Sequence, residues 1–539
     1  MSLHPSDLRA GDWVHLAEID YDGRTLRFAE APVTGKPWGD LSASVDFLAG
    51  LDIGSRFDRE IDLFADVPPD RTLRATVDMA GLLDYPSAAL SGRTLVGTAV
   101  RVYLHPVGTT ARFTVFQGVV TEDEFGEKQD PVSFSAASGA GEDFGRIHGA
   151  FDSLRAFDVV DVDAEQIDTL APAVFGAPGD GTLTDPEDHF YGTPAFGLRQ
   201  SGSPNWLLYI ANTRTAAGEA GEDVYFWNVT KDTSGYVPAM LLADDTGTVR
   251  TVADMSSETP PVWDNGDEIW IDWNTTGGGI ARPGGEAIRG AGDVLFYLMS
   301  QVRGVDMDLP RIKSIAPLLN VYKIDAAAWD PDGEHVSPLA WAQEYILPFL
   351  PISMVDGEGG AYFVLWRPDA GTDDAVTAIT VGVNASRASD VESSSLQDVY
   401  SDITLKYGVD AKTDKPTRIV RVTGSPAVSH VVEHARIGLY AQRSQQAFGE
   451  RIREPFVAAS IWDNGTANLC LNWLERRYAM PSHAASYSVR PDLAWLQPGD
   501  VVTLTDTSLG LSERVCLVEV VSPDRSGETL VRLRLYAEA

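Results

Sequence analysis

Two histidines and a glutamate stand in the order His430-Val-Val-Glu433-His434, the spacing of an inverted zinc-protease motif. That chemistry needs both imidazoles on one helix face to hold the metal, and the carboxylate beside them to activate water. The surrounding residues favour a strand instead. The stretch VSHVVEH is rich in β-branched Val and follows Pro426, and strand alternation would set His430 and His434 on one sheet face. A five-residue match is also not rare in a chain of 539 residues. The motif is therefore read as structural, and no metal ligand is assigned.

Acids gather in two further places. Asp264, Asp267, Glu268 and Asp272 surround one turn, while Asp185, Glu187 and Asp188 stand beside His189. Glycoside hydrolysis needs two carboxylates facing each other across a sugar, which closeness in sequence does not supply. The run Asp264-Asn-Gly-Asp-Glu268 has the composition of a calcium turn but departs from the EF-hand spacing. With 78 Asp and Glu in the chain, solvated acidic turns are the plainer reading of both clusters. Trp206, Trp227, Trp263, Trp270 and Trp273 lie close in sequence and would suit sugar stacking on exposed loops. Core packing is the commoner fate of such side chains. There is no GxSxG elbow, and the Gly-rich stretch 277–292 matches neither the phosphate-cradling P-loop nor GxGxxG spacing. Cys470 and Cys516 sit in apolar runs without CxxC spacing and read as small buried hydrophobes. No catalytic or cofactor-binding residue is assigned, no cofactor is expected, and the chain is not read as an enzyme.

The elements that would carry these residues are mostly strands. Residues 1–140 have β character, clearest in Thr94–Leu104, Arg112–Val120 and Pro131–Ala136. Residues 141–182 turn acidic and small, and 183–274 return to β-like runs at Trp206–Ile210, Val224–Val229 and Glu268–Trp273. The Gly-rich loop 275–292 leads into a helix at Asp293–Ser300, with Asp293 as its expected N-cap. A second helix is predicted over 337–350, capped by Ser337, with Pro338 in its first turn and Pro348 ending it. A hairpin should follow, from Ile352–Asp356 to Ala361–Trp366. Further on, Ile403–Tyr407 and Arg418–Val422 read as strands and Thr466–Tyr478 as an amphipathic helix. Ser486–Arg490, Val501–Thr505, Arg514–Val521 and Leu530–Tyr536 close the chain as strands. No tandem repeat of fixed period is visible. Two β regions, early and late, bracket a mixed middle.

Composition narrows the function classes. Lys plus Arg is 42 against 78 Asp plus Glu, a net charge of −36. Such a chain repels phosphate backbones and anionic membranes, so sequence-specific nucleic-acid binding, which needs a basic footprint, is not expected. Either the acids form an ordinary soluble surface, or they line a conduit that nucleic acid must pass without sticking. Aromatics reach 9%, with 13 Trp, a content that disordered chains lack. The opening MSLHPSDLRAGDW has no apolar signal-like region, and no run of about 18 apolar residues occurs. The expectation is a chain without a transmembrane segment that stays in the aqueous phase.

Several stretches taken in order resemble phage tail hub proteins. TLVGTAVRVYL and TVFQGVVTEDEFGEKQDPVSFSA, within residues 94–136, are similar to the first tube-like domain of that family. APAVFG at Ala171–Gly176, then ANTRT and GGEAIRGAGDVLFYLMSQVRG, look like its middle. WLQPGDVVTLTD from Trp495, with LGLSERVCLVEVV and RLRLYA after it, is similar to its closing strands. The resemblance implies a mainly β, minor α, multidomain chain. Two tube-like antiparallel β-barrel or sandwich domains, at 1–150 and 376–539, would bracket a β-rich mixed insertion at 151–310 and a small α+β domain at 311–375. It also implies a homotrimer at the virion's tail tip, assembled in the host cytoplasm. That ring would meet the distal tail protein or tail tube above and hold a central fibre or spike below. The tape-measure protein would end inside it, and DNA would pass through transiently and without specificity. Opening would be mechanical, driven by movement of the outer domains on receptor binding. The alternatives are a tail-associated cell-wall hydrolase using His430, Glu433 and His434, a carbohydrate-binding protein, and a tail fibre, which would show repeats.

Overall fold

In a computed structural model the described residues run from 13 to 535, apart from several internal stretches. The longest of these are 36–44, 61–70, 78–88, 158–167, 180–189, 199–206 and 426–434. The chain is mainly β with minor α, arranged around several separate cores.

The first β region begins with Trp13–Tyr21, which buries Ala17 and Ile19 on one face and Val14 and Leu16 on the other. It turns back into Arg24–Ala29 through Asp22 and Gly23, both at positive φ (49° and 73°). That is the two-residue hairpin geometry that Asp-Gly favours. Antiparallel neighbours then follow in the order Trp13–Tyr21, Ala99–Pro106, Phe113–Glu124, Val132–Ser138, Arg71–Val77 and Leu51–Ile53. On the other side of Arg24–Ala29 lies Val45–Ala49, in parallel. One nearly continuous segment, 45–53, therefore serves both flanks of the sheet. Phe28 pairs with Leu48, Leu51 pairs with Val77, and Gly50 turns between them at φ 123°. The sheet curls round into a barrel-like tube filled by Val100, Val102, Leu104, Phe116, Val120 and Phe134.

The last β region curls by the same device. Its strand order is Thr377–Thr380, Val501–Asp506, Leu511–Pro523, Thr529–Leu535, His483–Val489 and Ala385–Arg387. The two edge strands are consecutive in the chain, joined by the turn at 381–384 and a Val381–Ala385 bridge. Ile379, Tyr487, Val502, Leu504, Val518, Val531 and Leu533 fill the interior.

Between these lie three smaller units. A closed six-stranded antiparallel barrel runs Thr193–Leu198, Leu207–Ala211, Val249–Asp254, Thr233–Ala243, Asp223–Asn228 and Ile269–Asp272. A helical layer packs the helices Ala291–Gln301, Leu309–Leu319 and Pro338–Tyr345 with the hairpin Ile352–Gly357/Gly360–Leu365. A four-stranded sheet, Ala435–Ile437, Lys415–Thr423, Asp402–Asp410 and Phe456–Ala458, carries the helices Leu439–Phe448 and Asn464–Tyr478 on one face.

Ser337 caps its helix as expected, accepting a hydrogen bond from the Ala340 amide at 3.3 Å, with Pro338 in the first turn. The α-helix stops at Tyr345, and a 3₁₀ turn, Leu347–Phe349, takes up Pro348. The Asp293 expectation is corrected. The helix starts at Ala291 after Gly290, whose missing side chain makes no cap bond. The cap comes from a distant residue: Asn320 Oδ1 accepts from the Asp293 amide at 3.0 Å, and Asn320 Nδ2 donates to the Asp293 carboxylate at 2.7 Å. This needs close backbones, and Gly292 provides the approach. A Cβ there would lie 2.1 Å from the Ala316 carbonyl oxygen. Gly292→Ala is expected to cost about 1–3 kcal/mol by forcing the two helices apart, read as a lower denaturant midpoint. An unchanged midpoint would refute the close-contact account.

Candidate functional surfaces

The motif at His430, Glu433 and His434 falls outside the described residues, as do Asp185, Glu187, Asp188 and His189. Among the described residues, no group of three or more His, Cys, Asp or Glu side chains is placed to hold a metal ion. Both cysteines are buried and unbridged. Burial pushes the Cys516 thiol up to about 12 and raises Cys470 as well, which keeps them as inert thiols.

The acidic turn on the six-stranded barrel separates into three unlike environments. Asp267 closes the turn, accepting from the Asp264 amide at 2.7 Å and from Asn228 Nδ2 at 2.8 Å. Lys231 Nζ lies 2.9 Å from Asp264 and 3.5 Å from Asp267. Glu268 points elsewhere, accepting from the Trp270 indole at 2.9 Å and facing Lys412 Nζ at 3.0 Å. The Trp270 hydrogen bond, and after it Lys412, hold its carboxyl below the usual range. Asp272 is buried, and burial pushes its carboxyl up to about 8. Each carboxylate thus has its own task, and the four do not face one another across a cleft.

Strand parity sorts the tryptophans. Ile269 and Ile271 point into the barrel with Val224 and Phe226, and Trp263 and Trp273 fill that interior. Trp270 and Asp272 therefore share the outer face, where Trp270 registers with Trp227 and Asp272 with Tyr225. Trp227 and Trp270 on this face are packed edge to face by other rings, while Tyr236 stays exposed. Tyr191 meets the Trp227 and Trp270 rings at 5.8 Å each, and Trp329 meets Trp270 at 6.3 Å. Lys412 lies over Tyr191 at 5.0 Å. Backbone ties complete the seam, from the Tyr191 amide to Asp410 Oδ2 at 3.1 Å and from the Ala411 amide to the Tyr191 carbonyl at 3.0 Å. This surface fastens the barrel to the four-stranded sheet. Trp206 lies outside the described residues.

Two other junctions join distant parts of the chain. Arg59–Glu60, contributed from the first β region, adds as a short strand to the last one, pairing with Val521 and Val520. Next to it, buried Glu519 pairs with Arg534 and lies 3.4 Å from Arg532. From the same first region, Gln117 Nε2 donates to Asp306 at 3.0 Å. The second junction is Asp325, fully buried. Its carboxylate accepts from Arg289 Nε at 2.7 Å, Arg289 Nη2 at 2.9 Å and the Ala177 amide at 2.9 Å. The Asp325 amide donates to the Ser460 carbonyl at 2.9 Å. Four chain segments meet at this one residue. Neither junction carries a local sequence signal, because each is made by residues far apart in the chain.

One charge feature was countable in the sequence. Residues 402–478, the four-stranded sheet and its helices, hold 11 Lys and Arg against 8 Asp and Glu. The rest of the chain holds 31 against 70. This unit is a slightly basic island in a strongly acidic molecule.

No family model matches the sequence, and no curated protein matches it. Similar solved structures include a tail protein from Neisseria meningitidis MC58, at 11% identity and TM-score 0.36, with 97% of each chain covered. The 43 kDa tail protein of prophage MuSo2 from Shewanella oneidensis is similar at 11% identity and TM-score 0.37, covering 96% of this chain and 98% of that one. A chain of the virion of a native gene transfer agent particle is similar at 10% identity and TM-score 0.39, covering 74% and 88%. None is similar enough to transfer a residue's role.

Proposed function

We propose that this chain is a structural subunit of a bacteriophage-type tail, and within the tail a hub at the tip. The observation that carries the reading is the pairing of the two chain ends. Each end curls a sheet into a barrel-like tube by running one segment along both flanks, and Arg59–Glu60 hydrogen-bonds the first tube's chain into the second tube's sheet. Two tubes held side by side are what a ring of three subunits needs to meet a sixfold tube. The sequence resemblance to hub proteins points the same way, and the tail proteins among the similar structures accord with it.

On this reading the domains are a tube at 1–150, insertions at 151–310 and 311–375 that share the helical layer's core, and a second tube at 376–539 that carries the four-stranded unit 402–478 within it. The partners are two further copies, the distal tail protein or tube, the end of the tape-measure protein, and a central fibre or spike. The site of action is the tail tip of the virion. The net charge of −36 suits a passage that releases DNA. Function then resides in interfaces, and a structural role, not catalysis, is proposed.

The test is the solution mass of the purified chain by light scattering, with metal content read on the same sample. A metal-free trimer of the 58.3 kDa chain is expected, or a monomer that trimerises only with tail partners. A stable monomer holding one zinc and degrading cell-wall polymer would overturn the reading.

A further inference from the structure

We infer that the Arg453 guanidinium, held at the edge of the four-stranded sheet, is the anchor for a carboxylate on an acidic segment of a neighbouring tail protein. The inference rests on the reading of the chain as a tail subunit, and it names one contact point. Asp402 bridges Ile452, and Leu405 pairs with Phe456. The edge segment therefore spends one residue more than its neighbour, a bulge at Arg453-Glu454-Pro455. Bulges at sheet edges re-aim a side chain, and here Arg453 turns onto three rings. Its guanidinium lies 4.2 Å from the Phe456 centroid, 4.3 Å from Tyr478 and 5.3 Å from Tyr400. Phe456 belongs to the edge strand, Tyr478 ends the helix Asn464–Tyr478, and Tyr400 stands just before the strand Asp402–Asp410. A guanidinium stacked on rings keeps its N–H edge for a partner. Fixing it in advance lowers the entropy lost when that partner arrives.

That edge is unused within the chain. The Arg453 side chain makes no hydrogen bond or ion pair among the described residues. Its nearest acids in sequence, Glu450 and Glu454, are exposed and form no ion pair with it. By contrast Arg250, Arg289, Arg421 and Arg534 each sit on a carboxylate. Arg451, two residues before, is committed to the Val399 carbonyl at 2.8 Å. Arg477 lies 5.1 Å from the same Tyr478 ring and adds a second positive charge beside it. The Tyr400 and Tyr478 hydroxyls make no hydrogen bond among the described residues either, which leaves them as further donors. One open guanidinium matches one planar carboxylate, which takes its paired N–H donors together. A nucleic acid needs a row of open cations, and the exposed Glu450 and Glu454 interrupt any such row. Ile452, next to Arg453 in the chain and 64% exposed, supplies apolar contact. Arginine and tyrosine are the residue types that anchor protein interfaces.

The test is a titration of the full chain, its arginines labelled with heavy nitrogen, followed by nuclear magnetic resonance at low salt. The probe is the blocked peptide Leu-Glu-Glu-Leu, with Leu-Gln-Gln-Leu as its neutral control. The acidic peptide is expected to move the Arg453 side-chain N–H signal saturably, with a Kd of about 1 mM. The neutral peptide should leave it in place. Variants are compared through broadening of the peptide's own signals. Arg453→Lys keeps the charge but loses the fork, and should bind about tenfold more weakly. Arg490→Lys, at an exposed pair with Asp492, should bind as the native chain does. If Arg453→Lys loses the native circular dichroism, Tyr400→Phe/Tyr478→Phe replaces it. That variant keeps the rings, removes two donors and should bind about threefold more weakly. An Arg453 signal unmoved by about 10 mM acidic peptide would overturn the inference. So would native-like binding by the folded variant. Inorganic phosphate or a short DNA duplex that moves the signal at lower concentration than the peptide would overturn it in favour of a phosphate site. Each of these leaves the hub reading intact, whose failure shows in mass and metal content instead.

Discussion

Asp325→Ala is expected to destabilise the protein by about 3–5 kcal/mol, the usual cost of removing one partner from a buried ion pair. The substitution strands two groups at once. Arg289 loses both contacts to a carboxylate that solvent does not reach, and the Ala177 amide loses its acceptor. It also loosens a packed corner. Gly176, at φ 62°, brings its backbone so close that a Cβ would lie 2.2 Å from Asp325 Oδ1 and from the Ile324 carbonyl. That approach is shaped around the carboxylate. Asp325→Asn keeps the shape and one acceptor, so it should cost less than Asp325→Ala. The measurement is chemical unfolding of the full chain. An Asp325→Ala midpoint within about 1 kcal/mol of native would sink the idea that this side chain knots the middle of the molecule.

How much of this was legible in the sequence depends on how local the cause is. Alternation in Phe113–Glu124 and the Ser337-Pro338 start are set by neighbours within a few residues, and both elements appear where those signals put them. The helix Leu309–Leu319 was not read, because Pro317 stands inside it and proline normally breaks a helix. Here Asp308 caps the start and the partner helix packs along it. The helix Leu439–Phe448 was not read because LYAQRSQQAF is mostly polar and buries only the small side chains Ala441 and Ser444. Parity put Trp270 and Asp272 on one side of their strand and Ile269 and Ile271 on the other. Which side faced inward depended on five other strands. Curling of the two tubes, the two-residue strand Arg59–Glu60 and the Asn320 cap are made across long separations, where no local pattern can announce them.

The three seams differ in what holds them. The aromatic seam around Tyr191 is edge-to-face ring packing plus a few polar ties, the Arg59–Glu60 seam is backbone pairing beside a buried charge pair, and Asp325 is a satisfied ion pair. Backbone pairing is directional and survives most side-chain changes, which suits a joint between two tubes that must stay in register. Charge-dependent joints respond to pH and salt. Among the described carboxyls, Asp272 of the six-stranded barrel is one whose protonation ties stability to pH.

The Asp272 carboxyl gives that dependence a measurable form. Burial on the outer face of the barrel raises it to about 8 from an unfolded value near 3.8. Between those limits the folded chain holds one proton that the unfolded chain has released. Stability from this group is therefore full below about pH 4 and falls as pH rises, by about 1.4 kcal/mol per unit, until the folded group ionises near 8. Asp272→Asn mimics the neutral form and removes the dependence. The variant should match the native chain below about pH 4 and exceed it above pH 8, by at most about 6 kcal/mol on this linkage. The readout is the difference between the two unfolding free energies across pH, which cancels every other titrating group. A difference that stays constant from pH 5 to pH 9 would mean that Asp272 is not held neutral by burial.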